Sequence, residues 1–288
     1  MGNDLKVGKN ISVYGSTGFI GGRFCQLYHD DVVRIPREQR NPETNEVLYF
    51  ISTTNNYNIF DNPHVDIETN LSLLIDVLEQ CKGREDIVFN FISSWFVYGK
   101  TDDLPAHENS VCNPRGFYSI TKRTAEQLLT SYCETFKIKY RILRLGNVFG
   151  ETDADVSKKK NAMQYLINEI YNDRDVNLYD DGSNVRDYIY VDEACRAIKL
   201  CIDAAPCNEI INIGSGNPTT IREIMSYCRD KLNSKSKFVS IDAPEFHKIV
   251  QVKNMYLDIT KLKNLGYVPD LNIWDKIDVI MNNLGAEL

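Results

Sequence analysis

The chain has 288 residues, 43% of them hydrophobic and 25% charged, which is enough to bury a full core and matches an ordinary globular composition. Its formal net charge of −7 argues against nonspecific nucleic-acid binding, and no apolar run approaches the roughly 20 residues of a membrane span. Eight cysteines are scattered without a C-x-x-C pair or zinc spacing, so the expectation is reduced thiols, no metal site and a cytoplasmic protein. The first residues lack a basic-then-apolar leader pattern, and Lys6 stands where a myristoylation motif wants Ser or Thr.

In chain order, Ile11–Tyr14 reads as a strand that leads into a glycine-rich turn and a helical pattern over Phe19–Tyr28. Val32–Ile35 and Val47–Ser52 are further strands. The stretch Asp66–Cys81 has apolar residues at Ile67, Leu71, Leu74, Ile75 and Leu78, which is helical spacing. Ile87–Ser93 is a buried strand, Phe117–Phe136 a long helix and Tyr140–Leu145 a strand. This alternation predicts an α/β fold, a Rossmann-type doubly wound parallel sheet with helices on both faces. Past Gly150 the rhythm loosens. Asn161–Tyr171 and Val191–Ile202 look helical, Val176–Tyr179 and Glu209–Ile213 extended. Thr220-Ile221-Arg222-Glu223 has capping-box form and starts a helix to about Leu232. Residues 1–150 with a return segment near 189–213 are expected to form a dinucleotide domain. Residues 151–188 and 214–288 are expected to form a smaller C-terminal substrate-binding lobe.

Gly15-Ser16-Thr17-Gly18-Phe19-Ile20-Gly21 joins the first strand directly to the first helix. Glycines there allow a tight turn, and the helix N-terminus offers unpaired N–H groups to a pyrophosphate. Gly15, Thr17, Gly18, Phe19, Ile20 and Gly21 are therefore candidate cofactor contacts. The second strand ends Ile35-Pro36-Arg37-Glu38, where the adenosine ribose is read. Arg37, helped by Arg34 or Arg40, suits a 2′-phosphate and tilts the expectation toward NADP; Glu38 competes as a reader of a 2′-hydroxyl.

Tyr118 and Lys122 stand one helical turn apart. Tyr227 and Lys231 repeat that spacing, but only the first pair has context. Lys122, Ala125, Leu129 and Tyr132 share an otherwise apolar face with Tyr118, which turns the lysine inward, where it is costly without a task. Ser93-Ser94 ends the preceding buried strand, at the sheet end where ligands bind. Tyr118 as proton donor or acceptor, Ser94 on the same substrate oxygen and Lys122 lowering the Tyr118 pKa suffice for hydride transfer at a carbinol or ketone.

Together these residues resemble the extended short-chain dehydrogenase/reductase family, in its nucleotide-sugar-modifying epimerase/dehydratase branch. The glycine spacing, Ser93-Ser94-Trp95-Phe96-Val97-Tyr98-Gly99, and Asn113-Pro114 through Tyr118 and Lys122 carry the resemblance. It implies that Asn70 supports the cofactor site and that Asn147, in Leu143–Gly150, contacts a sugar-nucleotide diphosphate. It makes Arg186, in Asp181–Ile189, the diphosphate clamp, and it places Asn161 at the phosphate and Tyr179 on the base. Asn212-Ile213-Gly214-Ser215-Gly216 matches the family's returning strand. The resemblance further implies bound NAD(P), a nucleotide-diphosphate sugar as substrate, and a homodimer packed through the 66–81 and 117–136 helices. Three departures qualify it. Trp95 and Phe96 replace the acids that dehydrating members use, which disfavours dehydration. The segment between the second strand and Ile51 is short and lacks the family's adenine-contacting Asp. The basic residue ahead of Asp258 is not cleanly replaced, leaving His247, Lys248 and Lys253 as candidates. The expected activity is 4-keto reduction of a nucleotide-linked deoxysugar. The alternatives are a 4-epimerase with tightly held NAD and, of another class, a non-catalytic NADP-binding regulatory subunit.

Overall fold

The computed structural model describes residues 10–54, 56–150, 162–270 and 272–286. Strands β1 (Ile11–Tyr14), β2 (Val32–Arg34), β3 (Glu46–Tyr49), β4 (Val88–Ser94) and β5 (Lys139–Leu145) alternate with helices α1 (Phe19–Leu27), α2 (Asn58–Asp61), α3 (His64–Ile67), α4 (Leu73–Cys81) and α5 (Phe117–Phe136). There follow β6 (Asn147–Phe149), α6 (Ala162–Tyr171), β7 (Val176–Tyr179), β8 (Val185–Tyr190), α7 (Val191–Ala204), β9 (Glu209–Ile213), β10 (Pro218–Thr220) and α8 (Ile221–Leu232). β11 (Phe238–Ile241), α9 (Glu245–Val250), α10 (Thr260–Asn264) and α11 (Ile273–Ala286) complete the described elements.

The main sheet runs β2-β1-β3-β4-β5-β9, and every pairing in it is parallel. Strand side chains alternate between two apolar layers, as period two requires. Val13, Leu48, Ile92 and Leu143 face one layer with Phe24 of α1 and Ile198 of α7. Tyr14, Tyr49, Phe91 and Ile142 face the other with Leu74 and Leu78 of α4 and Leu129 of α5. The sheet is thus buried on both faces, the arrangement of a doubly wound α/β fold. Its reading from the sequence is borne out. So are the ends of α5 and of α8, where the Thr220 hydroxyl accepts from the Glu223 amide at 3.1 Å and the Glu223 carboxylate accepts from the Thr220 amide at 2.8 Å.

Two features were not expected from the sequence. The helix over 66–81 is interrupted: α3 passes through a π-helical turn, Glu68–Ser72, before α4 begins. And β3 pairs directly with β1, so the short link from β2 to β3 leaves β2 at the sheet edge, with no strand outside it among the described residues.

One buried ion pair ties α5 to the sheet. Glu126 and Arg144 side chains are each 1% exposed. Arg144 donates to both Glu126 carboxylate oxygens, at 3.0 and 2.8 Å, and to the Glu108 carbonyl at 3.1 Å. Ser93 of β4 donates to Glu126 at 2.6 Å, and Arg123 adds a bond at 2.7 Å. These bonds outweigh the burial cost and hold the Glu126 carboxyl below its ordinary pKa. Its stabilising contribution is therefore complete above the unfolded carboxyl pKa near ~4.3 and is lost as pH falls through the lower folded value. Glu126→Ala leaves the Arg144 guanidinium buried without its carboxylate, and denaturant unfolding should show a loss of about 3–5 kcal/mol at neutral pH. A loss under about 1 kcal/mol, the range of an exposed pair, would show that α5 is not anchored this way.

Candidate functional site

The carboxyl ends of β1, β3, β4 and β5 open into one cleft of about 1440 Å³. Pockets for one drug-sized ligand run to about 1,000 Å³, so this cleft has room for two ligands end to end. Its lining includes the glycine turn, Ser52, Ser94, Tyr118 and Lys122 on one side and Tyr179, Arg186 and His247 on the other.

The glycine turn has the shape of a phosphate cradle. Gly15 sits at φ +76°, and a Cβ there would lie 3.1 Å from Phe50 and Ile51 atoms. A Cβ on Gly21 would meet the Gly15 carbonyl oxygen at 2.4 Å, so only glycine lets α1 approach β1 this closely. Gly18 is the N-cap of α1; no side chain caps the helix and no acid lies in its first turn. Gly15, Thr17, Gly18, Phe19, Ile20 and Gly21 all line the cleft. A pyrophosphate fits here for want of any side chain to exclude it. Arg37 and Glu38, by contrast, are exposed after β2 and are not among the lining residues. The Arg40 guanidinium donates to the Arg37 carbonyl at 2.7 Å and lies 3.6 Å from Asp76.

Tyr118 and Lys122 are 7% and 3% exposed and both face the cleft from α5. The Asn56 side chain accepts from the Ser119 amide at 3.4 Å and so fixes the start of that helix. Lys122 donates to the Ile92 carbonyl at 2.6 Å and lies 4.2 Å from the centre of the Phe91 ring. Burial pulls its pKa down to about 7, with Glu126 opposing. Ser94 ends β4, accepts from the Phe96 amide at 3.3 Å and lines the cleft with Tyr118. Phe96 stands edge-on to Tyr118 at 5.9 Å and stacks on Trp95 at 3.9 Å.

The expected lowering of the Tyr118 pKa by Lys122 is not found. Burial pushes the Tyr118 phenol up to about 12; hydrogen bonds from Ser94 and Ser52 oppose this and the charge of Asp66 adds to it. The Lys122 amine donates to the Ile92 carbonyl instead, and burial dominates the shift of the phenol.

Asn70 lies in the π-helical turn, 2% exposed. It accepts from the Thr53 amide at 2.8 Å and donates to Thr53 and Thr121 hydroxyls at 2.8 and 2.9 Å. It thereby fastens the loop after β3 to α5, close beneath Tyr118.

On the far side, neighbouring residues of β8 point to opposite faces. Asp187 turns inward and accepts from Ser215, Gly216 and Leu257 amides at 2.7, 3.0 and 3.2 Å. Arg186 turns into the cleft. It donates only to carbonyls of Val185, Val252 and Lys253, at 2.7–2.8 Å, and its guanidinium lies 5.3 Å from the Trp95 ring centre. Among the described residues it makes no ion pair, and burial holds its pKa below the ordinary arginine value. Asn147 lines the same wall and donates to the Asp187 carbonyl at 3.4 Å. Tyr179 meets His247 edge-on at 5.0 Å, and His247 is paired with the Tyr57 hydroxyl. Asn161 and Lys158-Lys159-Lys160 lie outside the described residues. The second tyrosine–lysine pair has its own partner, which the sequence did not show: Tyr227 and Lys231 both bond Asp278 of α11, at 2.8 and 2.9 Å, away from the cleft lining.

Ser52, Thr53 and Asp66 were not anticipated at this site. They belong to no motif, and only the fold brings them under Tyr118.

Comparison with known proteins agrees with this geometry. The model of the NAD dependent epimerase/dehydratase family matches residues 46–214, more than half the chain. A putative UDP-glucose 4-epimerase of Methanocaldococcus jannaschii is 27% identical over 237 residues, covering 82% of this chain and 75% of that one. The dTDP-4-dehydro-6-deoxyglucose reductase of Escherichia coli is 28% identical over 203 residues, covering 70% of this chain and 62% of that one. Among solved structures, the UDP-N-acetylglucosamine 4-epimerase of Methanobrevibacter ruminantium M1 superposes with a TM-score of 0.86 over 98% of this chain and 99% of that one. At 22% identity that likeness speaks to the fold.

Lys122 carries a stability prediction. Its folded pKa lies below the unfolded value of about 10.4, so between about pH 7 and 10 the unfolded chain holds the extra proton. Stability must then rise with pH in that window, by at most about 1.4 kcal/mol per unit. Denaturant unfolding of the parent and of Lys122→Met should diverge steadily from pH 7 to 10, the parent gaining. Parallel curves would show that Lys122 is charged in the folded protein.

Proposed function

Because the chain belongs to the NAD dependent epimerase/dehydratase family, we propose that it is an NAD(P)-dependent oxidoreductase acting on a nucleotide-linked sugar, working as a 4-keto reductase. Residues 1–150 with about 189–213 serve as the dinucleotide domain, and 151–188 with 214–288 as the substrate lobe. The glycine turn takes the pyrophosphate of the cofactor. The cofactor supplies hydride when bound. Tyr118 then holds the proton for the sugar oxygen, and a phenol pushed up to about 12 is in its donating form at neutral pH. Ser94 bonds the same oxygen, and Asn70 braces the loop beneath. Arg186, half-buried and without a carboxylate among the described residues, takes the sugar-nucleotide diphosphate with Asn147 beside it, since a partly desolvated guanidinium favours an anion. Tyr179 offers a ring face to the base, and Asn161 is kept as a phosphate contact.

The observation that carries the reductase reading is the wall of Phe96 and Trp95. Phe96 stands edge-on to Tyr118 and stacks on Trp95, an apolar wall with no proton to transfer, which suits a sugar held on one face. NADP is favoured weakly: Arg37 lies at the right end of β2, and the uncovered edge of β2 suits a cofactor that exchanges. One observation favours the 4-epimerase alternative, the cleft volume of about 1440 Å³, which leaves space for a freed keto sugar.

The test is stoichiometric. With a 4-keto sugar nucleotide and NADPH, the parent should oxidise one nicotinamide per sugar reduced. Tyr118→Phe should lower the rate by about 10²–10⁴-fold with cofactor binding retained. Undiminished turnover in that variant would remove Tyr118 from the chemistry.

A homodimer through the helices over 66–81 and 117–136 completes the proposal. Ile67, Ile75, Ile120 and Leu128 on those helices are 36–45% exposed, an apolar surface left without cover. Light scattering should report twice the chain mass for the parent and the single mass for Leu128→Glu; a monomeric parent at micromolar concentration would refute it.

A further inference from the structure

Arg186 is held by contacts that leave part of its guanidinium free. The group carries five N–H donors. Nη1 donates to the Val185 and Lys253 carbonyls, each at 2.8 Å, which uses both of its hydrogens. Nη2 donates to the Val252 carbonyl at 2.7 Å, which uses one of its two. Nε–H and the second Nη2 hydrogen have no partner among the described residues, so two donors remain for a ligand. The adjacent carboxylate, Asp187, is turned to the other face of β8, where the Ser215, Gly216 and Leu257 amides donate to it.

The remaining contact of Arg186 is with a ring. Its guanidinium carbon lies 5.3 Å from the centre of the Trp95 ring, inside the roughly 6 Å over which an aromatic face attracts a cation. Trp95 is 4% exposed and lines the same cleft. It is itself held in place. Its ring stacks on Phe96 at 3.9 Å with 22° between the planes, and Phe96 meets Tyr118 edge-on at 5.9 Å. Both rings leave β4 on a tight turn, Trp95–Val97, fixed at its start by the Ser94 hydroxyl, which accepts from the Phe96 amide at 3.3 Å. An unbroken run of ring contacts thus joins Tyr118 of α5 to Arg186 of β8.

We propose that Trp95 is a positioning residue for Arg186: its ring face fixes the guanidinium so that the two free N–H groups are presented to the diphosphate of a nucleotide. The inference rests on the reading of Arg186 as the diphosphate clamp and adds the residue that aims it. Three carbonyls on one segment of backbone and on its own strand tether the cation without covering its face. The indole covers that face and attracts it, so less side-chain freedom is lost when the anion binds. Leucine at this position fills space but has no ring face to offer the cation.

The test uses UDP, dTDP, CDP, GDP and ADP as probes on the full-length protein. The chain has two tryptophans, and Trp274 meets Tyr227 at 4.8 Å, away from the cleft lining. In Trp274→Phe the emission therefore reports Trp95 alone. At least one of the five nucleotides should change it, and adding Arg186→Ala should abolish the response. By calorimetry, Trp95→Leu should weaken that nucleotide about 3–30-fold, and Trp95→Phe, which keeps a ring, should weaken it less. In the Arg186→Ala background the same Trp95→Leu change should cost under about twofold, because the two residues act as one unit. Silence of Trp95 to all five nucleotides overturns the proposal without any change at Trp95. A cost of Trp95→Leu that is the same with and without Arg186 also overturns it. Affinity lost in Arg186→Ala but kept in Trp95→Leu refutes this inference alone; affinity kept in both refutes the clamp beneath it.

Discussion

Lys122, buried, and Arg186, half-buried, lie in the wall of one cleft, and among the described residues neither forms an ion pair. Nearby, the fold shows how it treats a buried cation that only has to be stable: Arg144 is met by both oxygens of Glu126. Lys122 receives a single carbonyl and a ring face, and Arg186 receives carbonyls and the face of Trp95. Carbonyl dipoles repay only part of the cost of desolvating a charge. That unpaid difference is held in place by the surrounding packing, and a negatively charged ligand recovers it. The proposed chemistry depends on this imbalance, because it would suit the cleft to phosphates and to a proton donor held in its neutral form.

The same economy explains Tyr118. Its desolvation keeps the proton on, and its two hydroxyl neighbours keep the cost of losing it within reach. Asp66 is also buried, and one of its oxygens has no partner among the described residues. The π-helical turn that carries Asn70 is where the backbone yields so that a side chain can reach the loop after β3.

Much of this was visible in the sequence. The glycine turn, the Tyr118–Lys122 pair on one face of α5 and Ser94 at a strand end are local patterns with a period or a spacing, and the structure brings all of them to one cleft. Features that depend on chain-distant pairing were not visible. Nothing near Ser52 marks it; its place is set by its bond to Asn70, 18 residues on, which in turn bonds Thr121 of α5. The short link between β2 and β3 could be read as a missing segment, but its consequence, an uncovered β2 with Arg37 outside the cleft lining, needed the strand order. Strands β6 and β10, three residues each, are too brief for a period to show, and both pair with β8 in a sheet of their own. The pKa of Tyr118 went the other way from the sequence reading because charge is legible in a sequence and burial is not.

The central claim is that this site reduces a keto sugar with a cofactor that comes and goes. The most direct measurement is to denature freshly purified protein and identify what it releases. The account predicts a largely empty site that afterwards binds NADPH more tightly than NADH. A stoichiometric yield of tightly held NAD⁺ would contradict it, since a cofactor that never leaves belongs to an enzyme that returns its hydride to the same sugar.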